Sequence, residues 1–240
     1  MSFLRQFSFL ALPIALISPL AGQQGDRKGH NMTSFVPEDV IPPAPFLKVE
    51  DALKSFQLAP GFVIEEVASE PLVDMPCILK FDGDGQMWIC ELVGYMPDVD
   101  GKGESIAQGR IVILADSDND GRVDKRSIFL EKLLLPRSLY LLDDGILWAN
   151  QESLFFQGRD GNKPVGKRVM VDKDYARGGN VEHKANSLVL GLDNWIYNAK
   201  SDRRYKRTKD GWVMGKTHFR GQWGIDRDDY GRLFHNSNST

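Results

Sequence analysis

Hydrophobic residues beyond about position 56 are arranged as paired short runs rather than as long periodic stretches. In each pair an apolar run is followed by a turn rich in Asp, Gly or Asn, and then by a second run that contains an aromatic residue. The four pairs span residues 78–90, 138–150, 187–199 and 224–236. Short runs separated by turn residues predict β-hairpins. No long stretch has the 3.6-residue period of an amphipathic helix, so the predicted fold class is all-β.

The spacing of these hairpins favours a β-propeller. Their aromatic landmarks Trp88, Trp148, Tyr197 and Phe234 lie 60, 49 and 37 residues apart. Strand-rich repeats of about 40–50 residues are typical of propeller blades. An irregular β-sandwich is the alternative. We expect a propeller that is six-bladed when complete, with three to four blades in this chain. Because a propeller closes its ring to protect its sheet edges, the chain is expected to be the amino-terminal part of a longer protein.

The amino-terminal stretch predicts export. Arg5 precedes "FSFLALPIALISPL", an apolar run of 14 residues that contains Pro13 and Pro19. A membrane span needs roughly 20 apolar residues, so residues 1–22 are interpreted as a secretory signal peptide, with an uncleaved anchor as the alternative. Residues 23–55, rich in Pro, Gly and polar residues, are interpreted as a linker or arm before a propeller domain at 56–240. The predicted location is periplasmic or extracellular.

Export makes the two cysteines relevant, because disulfides persist in oxidising compartments. If the turn at 82–85 pairs Phe81 with Gln86, Cys77 and Cys90 stand opposite each other and form a disulfide. The alternative is two buried free thiols that pack as small hydrophobic groups.

The formal net charge of -3 gives no basic face for nucleic acid. An acidic motif, "DSDNDGRVD" at 116–124, instead predicts a calcium loop between strands. Alternate carboxylates converge on a hard cation, and Gly121 allows the sharp turn. The EF-hand glutamate at position 12 is replaced by Ser127. The role expected of the ion is structural, and the alternative is a solvated turn. The predicted ligands are Asp116, Asp118, Asp120, Arg122 and Asp124.

The most informative chemistry lies in "EHKANSLVLGLDNWIYNAKSD", residues 182–202. His183 directly precedes an inner-strand run, and Asp202 follows the partner strand. Ends of inner propeller strands line the mouth of the central channel, where a histidine can act as a general base oriented by a carboxylate. A structural histidine is the alternative.

This segment resembles the part of soluble quinoprotein glucose dehydrogenases and aldose sugar dehydrogenases that carries their catalytic histidine and aspartate. The resemblance implies that His183 takes the proton of a sugar hydroxyl while hydride passes to pyrroloquinoline quinone (PQQ), and that Asp202 orients the histidine. "RGQWGIDRDDYGRL" is similar to the Arg-Asn-Pro-Gln-Gly stretch of those enzymes. It implies Arg220 and Gly221 as cofactor contacts, with Gly221 in place of the asparagine.

Residues 57–240 as a whole resemble bacterial extracytoplasmic propeller proteins labelled membrane-bound dehydrogenases, through the calcium motif, the His183 segment and the Arg220 segment. The resemblance implies a secreted PQQ-dependent dehydrogenase that binds Ca²⁺, oxidises a sugar or alcohol and passes electrons to a cytochrome c. The alternatives are a non-catalytic, calcium-stabilised propeller that binds glycans or protein partners, and a propeller hydrolase or lyase.

Overall fold

Strands dominate the computed structural model, which describes Val40 and residues 46–98 and 101–237. The chain divides into two units, Met1–Pro42 and Pro43–Thr240, and every element below belongs to the second. The predicted signal peptide and most of the predicted arm lie outside the described residues. The end of that arm forms the helix α1 (Val49–Ser55). No helix in the described ranges is long and apolar enough to cross a membrane.

The described residues contain fourteen strands, which form three four-stranded antiparallel sheets and one hairpin. The first sheet contains β1 (Pro76–Phe81), β2 (Met87–Glu91), β3 (Gly109–Ala115) and β4 (Lys125–Leu133). The second contains β5 (Leu139–Leu142), β6 (Gly145–Asn150), β7 (Ser153–Asp160) and β8 (Lys163–Asp172). The third contains β9 (Asn186–Leu190), β10 (Ile196–Ala199), β11 (Ser201–Thr208) and β12 (Gly211–Arg220). The hairpin is β13 (Ile225–Arg227) with β14 (Leu233–His235).

The sheets are propeller blades, which confirms the predicted fold class. Each predicted hairpin supplies the first two strands of its sheet, and within a sheet every strand pairs with the next one in the chain. The first strands also meet one another, β1 with β5, β5 with β9 and β9 with β13. First strands that contact across successive sheets are the inner strands around a common axis.

The hydrophobic core lies between neighbouring blades. Trp88 and Trp148 are fully buried between the first two blades, and Trp88 packs edge-on against Phe129 at 4.9 Å between ring centroids. A second cluster, which includes Leu188 and Tyr205, fills the space between the second and third blades. Two of the four aromatic landmarks, Trp88 and Trp148, therefore pack between the first two blades.

The first hairpin corrects the predicted register by one residue. Phe81 pairs with Met87, and Ile78 pairs with Cys90. The cause is the turn, because the Asp82 backbone pairs with that of Gln86 and the Asp82 side chain accepts the Gln86 N–H at 2.9 Å.

Cys77 consequently falls in an irregularity of β1 between Pro76 and Ile78, as the extra residue of a bulge. Both cysteines are free thiols. The Cys77 thiol donates to the carbonyls of Cys90 and Pro136, each at 3.4 Å. The structure therefore agrees with the alternative prediction of two free thiols, of which Cys90 is buried and Cys77 partly buried.

Candidate active site

His183 lies on a tight turn between the second and third blades. Gly178 and Gly179 both have φ near +73°, which glycine adopts without strain, and they lead into the 3-10 turn Val181–His183. The His183 N–H donates to the Asn180 carbonyl at 3.0 Å. The imidazole is half-buried and lines a cavity of about 370 Å³. Among the described residues it has no side-chain hydrogen bond, so its ring nitrogens are available to a ligand.

Asp202 lines the same cavity from β11. Its carboxylate accepts a hydrogen bond from the Lys216 ammonium at 2.6 Å, and this bond holds the pKa of Asp202 below its usual range. The two residues singled out by the sequence are thus brought to one cavity. No hydrogen bond joins them in the described part of the chain, and their catalytic roles remain predictions.

The rest of the cavity wall combines basic and aromatic side chains that were not predicted as site residues from the sequence. They include the basic side chains Lys184, Lys200 and Arg203 and the aromatic side chains Tyr175 and Phe219. Arg203 directly follows Asp202, and Lys184 directly follows His183, so their nearness to the predicted pair is a signal that was present in the sequence. Phe219 likewise precedes the predicted Arg220, and Lys200 stands two residues before Asp202, whereas Tyr175 lies apart from the predicted residues.

Arg203 is held by a network that stiffens one wall. Its guanidinium donates to the Asp172 carboxylate at 2.6 Å and to the Asp174 carbonyl at 2.9 Å. The buried Tyr205 hydroxyl donates to the same Asp172 oxygen at 2.7 Å. Tyr175, buried beside Tyr205, shares a hydrogen bond with the Ser138 hydroxyl at 2.9 Å. These contacts fix the side chains before any ligand binds.

Buried positive charge also lies at the cavity, at Lys184 on its wall and at Arg137 next to it. The Lys184 ammonium is 3.7 Å from the Glu152 carboxylate, and burial and the charge of Arg137 lower its pKa. Arg137 is itself fully buried, and burial lowers its pKa to about 10. Its guanidinium donates to three backbone carbonyls, those of Leu135, Gln151 and Ala185. One buried cation, Lys184, therefore lines the cavity, and a second, Arg137, donates to the carbonyl of Ala185 on its wall.

Arg220, a predicted cofactor contact, points away from this cavity. Its guanidinium lies 5.3 Å from the Tyr197 ring centre and donates to the Thr217 hydroxyl at 2.6 Å. Its neighbour Phe219 lines the cavity instead, as the alternation of side chains along a strand requires. The cofactor role of Arg220 remains a prediction.

Gly221, the second predicted contact, has a structural reason to be glycine. Its φ is +76°, and an added Cβ would lie 3.1 Å from the Ala199 Cβ. A side chain here would be strained at this φ and would require Ala199 to give way slightly. This close approach accounts for glycine at the place where the resembling enzymes have asparagine, and the role of Gly221 toward a cofactor remains a prediction.

The acidic loop between β3 and β4 gathers three of its predicted ligands. Oxygen atoms of Asp116, Asp118 and Asp120 lie within 4.8 Å of one another. Asp116 shapes the loop by accepting the N–H groups of Asn119 and Gly121, each at 2.8 Å. Asp120 likewise accepts the N–H of Arg122 at 2.8 Å, so backbone N–H groups hold the loop in the shape that brings the carboxylates together.

The two remaining predicted ligands have other partners. The Asp124 carboxylate accepts the N–H of Ser117 at 2.9 Å and also its hydroxyl, and these bonds lower the pKa of Asp124. The Arg122 guanidinium is 3.6 Å from the Glu66 carboxylate. Asp124 is thus not part of the cluster of three carboxylates.

Sequence comparison identifies a family without assigning an activity. Residues 48–240 match the family described as "Domain of unknown function (DUF7133)". No curated protein matches the sequence.

Comparison of folds finds solved propeller structures. The holo form of the PQQ domain of pyranose dehydrogenase from Coprinopsis cinerea matches with a TM-score of 0.51 and 11% identity, over 74% of this chain and 46% of that chain. The calcium-binding protein regucalcin from Agrobacterium tumefaciens matches with a TM-score of 0.43 and 16% identity, over 62% of this chain and 46% of that one. This chain therefore spans about half the length of these structures. At such identities the likeness concerns the fold alone.

Proposed function

The chain belongs to the family described as a domain of unknown function, DUF7133, and we propose that it carries the active site of a PQQ-dependent dehydrogenase that oxidises a sugar or an alcohol. One observation carries the proposal. His183 and Asp202, which are 19 residues apart in the sequence, meet on the wall of one cavity that is also lined by basic and aromatic side chains. A base, a carboxylate and an anion-binding wall are the groups that such a reaction requires.

The residues of the cavity suit PQQ. Its volume of about 370 Å³ lies within the range of about 300–1,000 Å³ typical of ligand sites. Lys184, Lys200 and Arg203 offer donors for the carboxylates and carbonyl oxygens of such a molecule, and Phe219 offers an apolar face. When bound, PQQ supplies the two-electron acceptor that no protein side chain provides.

The work left to the protein is proton transfer and orientation. The half-buried imidazole of His183 has no hydrogen-bond partner among the described residues and can accept the proton of a substrate hydroxyl. The Asp202 carboxylate, kept ionised by Lys216, can stabilise the imidazolium that forms, provided that it exchanges its lysine partner for the histidine. The buried cation Lys184 makes the cavity favourable for negative charge that develops on the substrate oxygen.

The setting that we propose is outside the cytoplasm. The apolar run at residues 7–20 supports secretion to the periplasm or beyond. A cytochrome c is the electron acceptor proposed there.

We also propose that the acidic loop binds a structural Ca²⁺ ion through Asp116, Asp118 and Asp120. Three carboxylates within 4.8 Å repel one another, and a hard divalent cation removes that repulsion. Addition of Ca²⁺ should raise the melting temperature of the wild type. Asp118→Asn should abolish the rise, whereas Asp210→Asn, in the exposed turn between β11 and β12, should preserve it. An equal rise in both variants would contradict the site.

A calcium-stabilised propeller without PQQ binding would correspond to the alternative function, a binding module for glycans or protein partners. The deciding experiment is a calorimetric titration of the full-length protein with PQQ, with and without Ca²⁺. Saturable binding is expected.

The catalytic role of His183 has its own test. His183→Gln should keep PQQ binding and lose sugar-dependent dye reduction, and the exposed His218→Gln is its matched control. Arg220→Ala tests the contact implied by resemblance. A folded protein that shows no saturable PQQ binding would overturn the dehydrogenase proposal.

A further inference from the structure

Lys200 occupies an unusual backbone position at the edge of the His183 cavity. It separates β10 from β11 and has a φ of +54°, a left-handed conformation that disfavours a side chain with a Cβ. Its N–H donates to the Arg220 carbonyl at 2.6 Å, which stabilises the kink. The kink brings Lys200 onto the cavity wall beside Ser201 and Asp202. Such backbone outliers persist where the surrounding structure imposes them, and they cluster at binding sites.

The Lys200 side chain is also fixed in position. Its ammonium donates to the Gln222 side-chain oxygen at 2.7 Å. Gln222 is in turn held by the fully buried Asn186, whose amide donates to the Gln222 carbonyl at 3.0 Å and accepts the Gly224 N–H at 2.9 Å. The aromatic ring of Phe219 lies 5.8 Å from the ammonium. A long, flexible side chain is therefore pre-organised rather than left in solvent.

Lys200 differs from the other charged side chains that line the cavity in having no oppositely charged partner among the described residues. The other carboxylates and cations that line the cavity each have an opposite charge within 4.0 Å, in the pairs Asp174–Arg177, Lys184–Glu152, Asp202–Lys216 and Arg203–Asp172. Within the described residues Lys200 has an amide as its partner and no carboxylate. Among the described residues, the wall therefore carries one positive charge that no carboxylate within 4.0 Å compensates.

We infer that Lys200 is the binding residue for a carboxylate in this cavity. An ammonium group has three donors, and Gln222 takes one of them, so two remain for the oxygens of a ligand. Two sources share this chemistry: the acid group of a sugar-acid substrate, and a carboxylate of PQQ. The inference rests on the proposed function only in that it concerns the same cavity. It deepens that proposal by predicting an acidic ligand at a defined lysine.

The test is calorimetric titration of the full-length protein with three probes: D-gluconate, D-glucose as its neutral counterpart, and PQQ. Lys200→Gln removes the charge and keeps a polar side chain, and Lys200→Arg keeps the charge. Lys209→Gln, at the exposed turn between β11 and β12, is the matched control. Lys200→Gln should weaken binding of a carboxylate probe about tenfold or more, the effect of losing one charge-assisted hydrogen bond. The arginine variant should recover part of the affinity, and the Lys209 variant should match the wild type.

The pattern of losses identifies the source. If only gluconate binding weakens, the carboxylate belongs to the substrate; if only PQQ binding weakens, it belongs to the cofactor. Lys200-dependent gluconate binding by a protein that does not bind PQQ would overturn the dehydrogenase proposal and leave this inference standing. PQQ and gluconate affinities that both stay within about twofold of the wild type in a folded Lys200→Gln variant would overturn the inference alone. A wild type that binds neither carboxylate probe would overturn both.

Discussion

Two ion pairs of equal length test whether burial controls their contribution to stability. Asp172 and Arg203, and Asp144 and Arg207, each have a nitrogen–oxygen distance of 2.6 Å. The side chains of the first pair are only 9% and 25% exposed, and those of the second are 60% and 40% exposed. Asp172 also accepts the hydroxyl of the buried Tyr205. The same substitution, Asp to Asn, can therefore be made in both environments.

The expected losses differ severalfold. Asp172→Asn keeps one acceptor oxygen, removes the negative charge and leaves Arg203 poorly compensated. Hydrogen bonds to charged groups contribute about 1.5–3 kcal/mol, and breaking a buried pair costs about 3–5 kcal/mol. Because Arg203 retains some solvent and the Asp174 carbonyl, we expect a loss of about 3 kcal/mol in the free energy of unfolding. Asp144→Asn should lose less than about 1 kcal/mol, as exposed pairs do.

Urea unfolding of the full-length protein, followed by tryptophan fluorescence, measures both losses. The slope of the unfolding free energy against urea concentration should equal that of the wild type in each variant, so that a shift in the midpoint reports a change in stability. A double-mutant cycle with Tyr205→Phe should give a coupling of about 1 kcal/mol with Asp172→Asn, because the two residues share a hydrogen bond. Equal losses in the two Asp variants, or zero coupling in the cycle, would refute the argument that burial sets the strength of these pairs.

Three further outcomes are expected. Burial raises the pKa of Asp172, but hydrogen bonds from Arg203 and Tyr205 outweigh this effect and lower it. The stabilisation by Asp172 is therefore complete above the ordinary carboxyl pKa near 4 and is lost as the pH falls through the lower pKa of the folded state. Asp172→Asn should accordingly flatten the acid side of the curve of stability against pH. Gly145→Ala should destabilise by about 1–3 kcal/mol in thermal melts, since the added Cβ would lie 2.5 Å from the Phe156 ring; an unchanged melting temperature would contradict this contact. Burial raises the pKa of Cys77 to about 12 and that of Cys90 well above its usual value, so both thiols should react with a disulfide reagent at pH 8 far more slowly in the native protein than in urea.

The propeller could be predicted because each of its inner hairpins is specified by residues close together in the sequence. The turn at 193–194 and the apolar runs around it specify the hairpin of β9 and β10 without reference to any other blade, and the same holds for the other three hairpins. The register of the first hairpin was predicted wrongly for an equally local reason. The side chain of Asp82 organises a longer turn than the glycines suggest, and a one-residue difference decides whether Cys77 faces Cys90 or enters a bulge.

The site was predictable only where its residues flank a strand. The sequence could bring His183 and Asp202 to one place because His183 precedes β9 and Asp202 follows β10, the two strands of one hairpin. Lys200 could not, since its position depends on a left-handed backbone and on Gln222, 22 residues further along the chain. The same limit applies to Asp124, whose spacing suits a calcium ligand but whose carboxylate is taken by Ser117.

The strand order has a consequence for how the molecule assembles. Because every strand of a blade pairs with its neighbour in sequence, each ladder closes short loops, and the contact order within a blade is low for an all-β protein. A nascent chain can therefore complete its first sheet before the second has been synthesised. The face of the first sheet that carries Trp88 is not completed in this way, because it is covered only when β5 and β6 of the second blade pack against it. Folding should thus advance blade by blade from the amino terminus, with each new hairpin covering the apolar face left by the one before it.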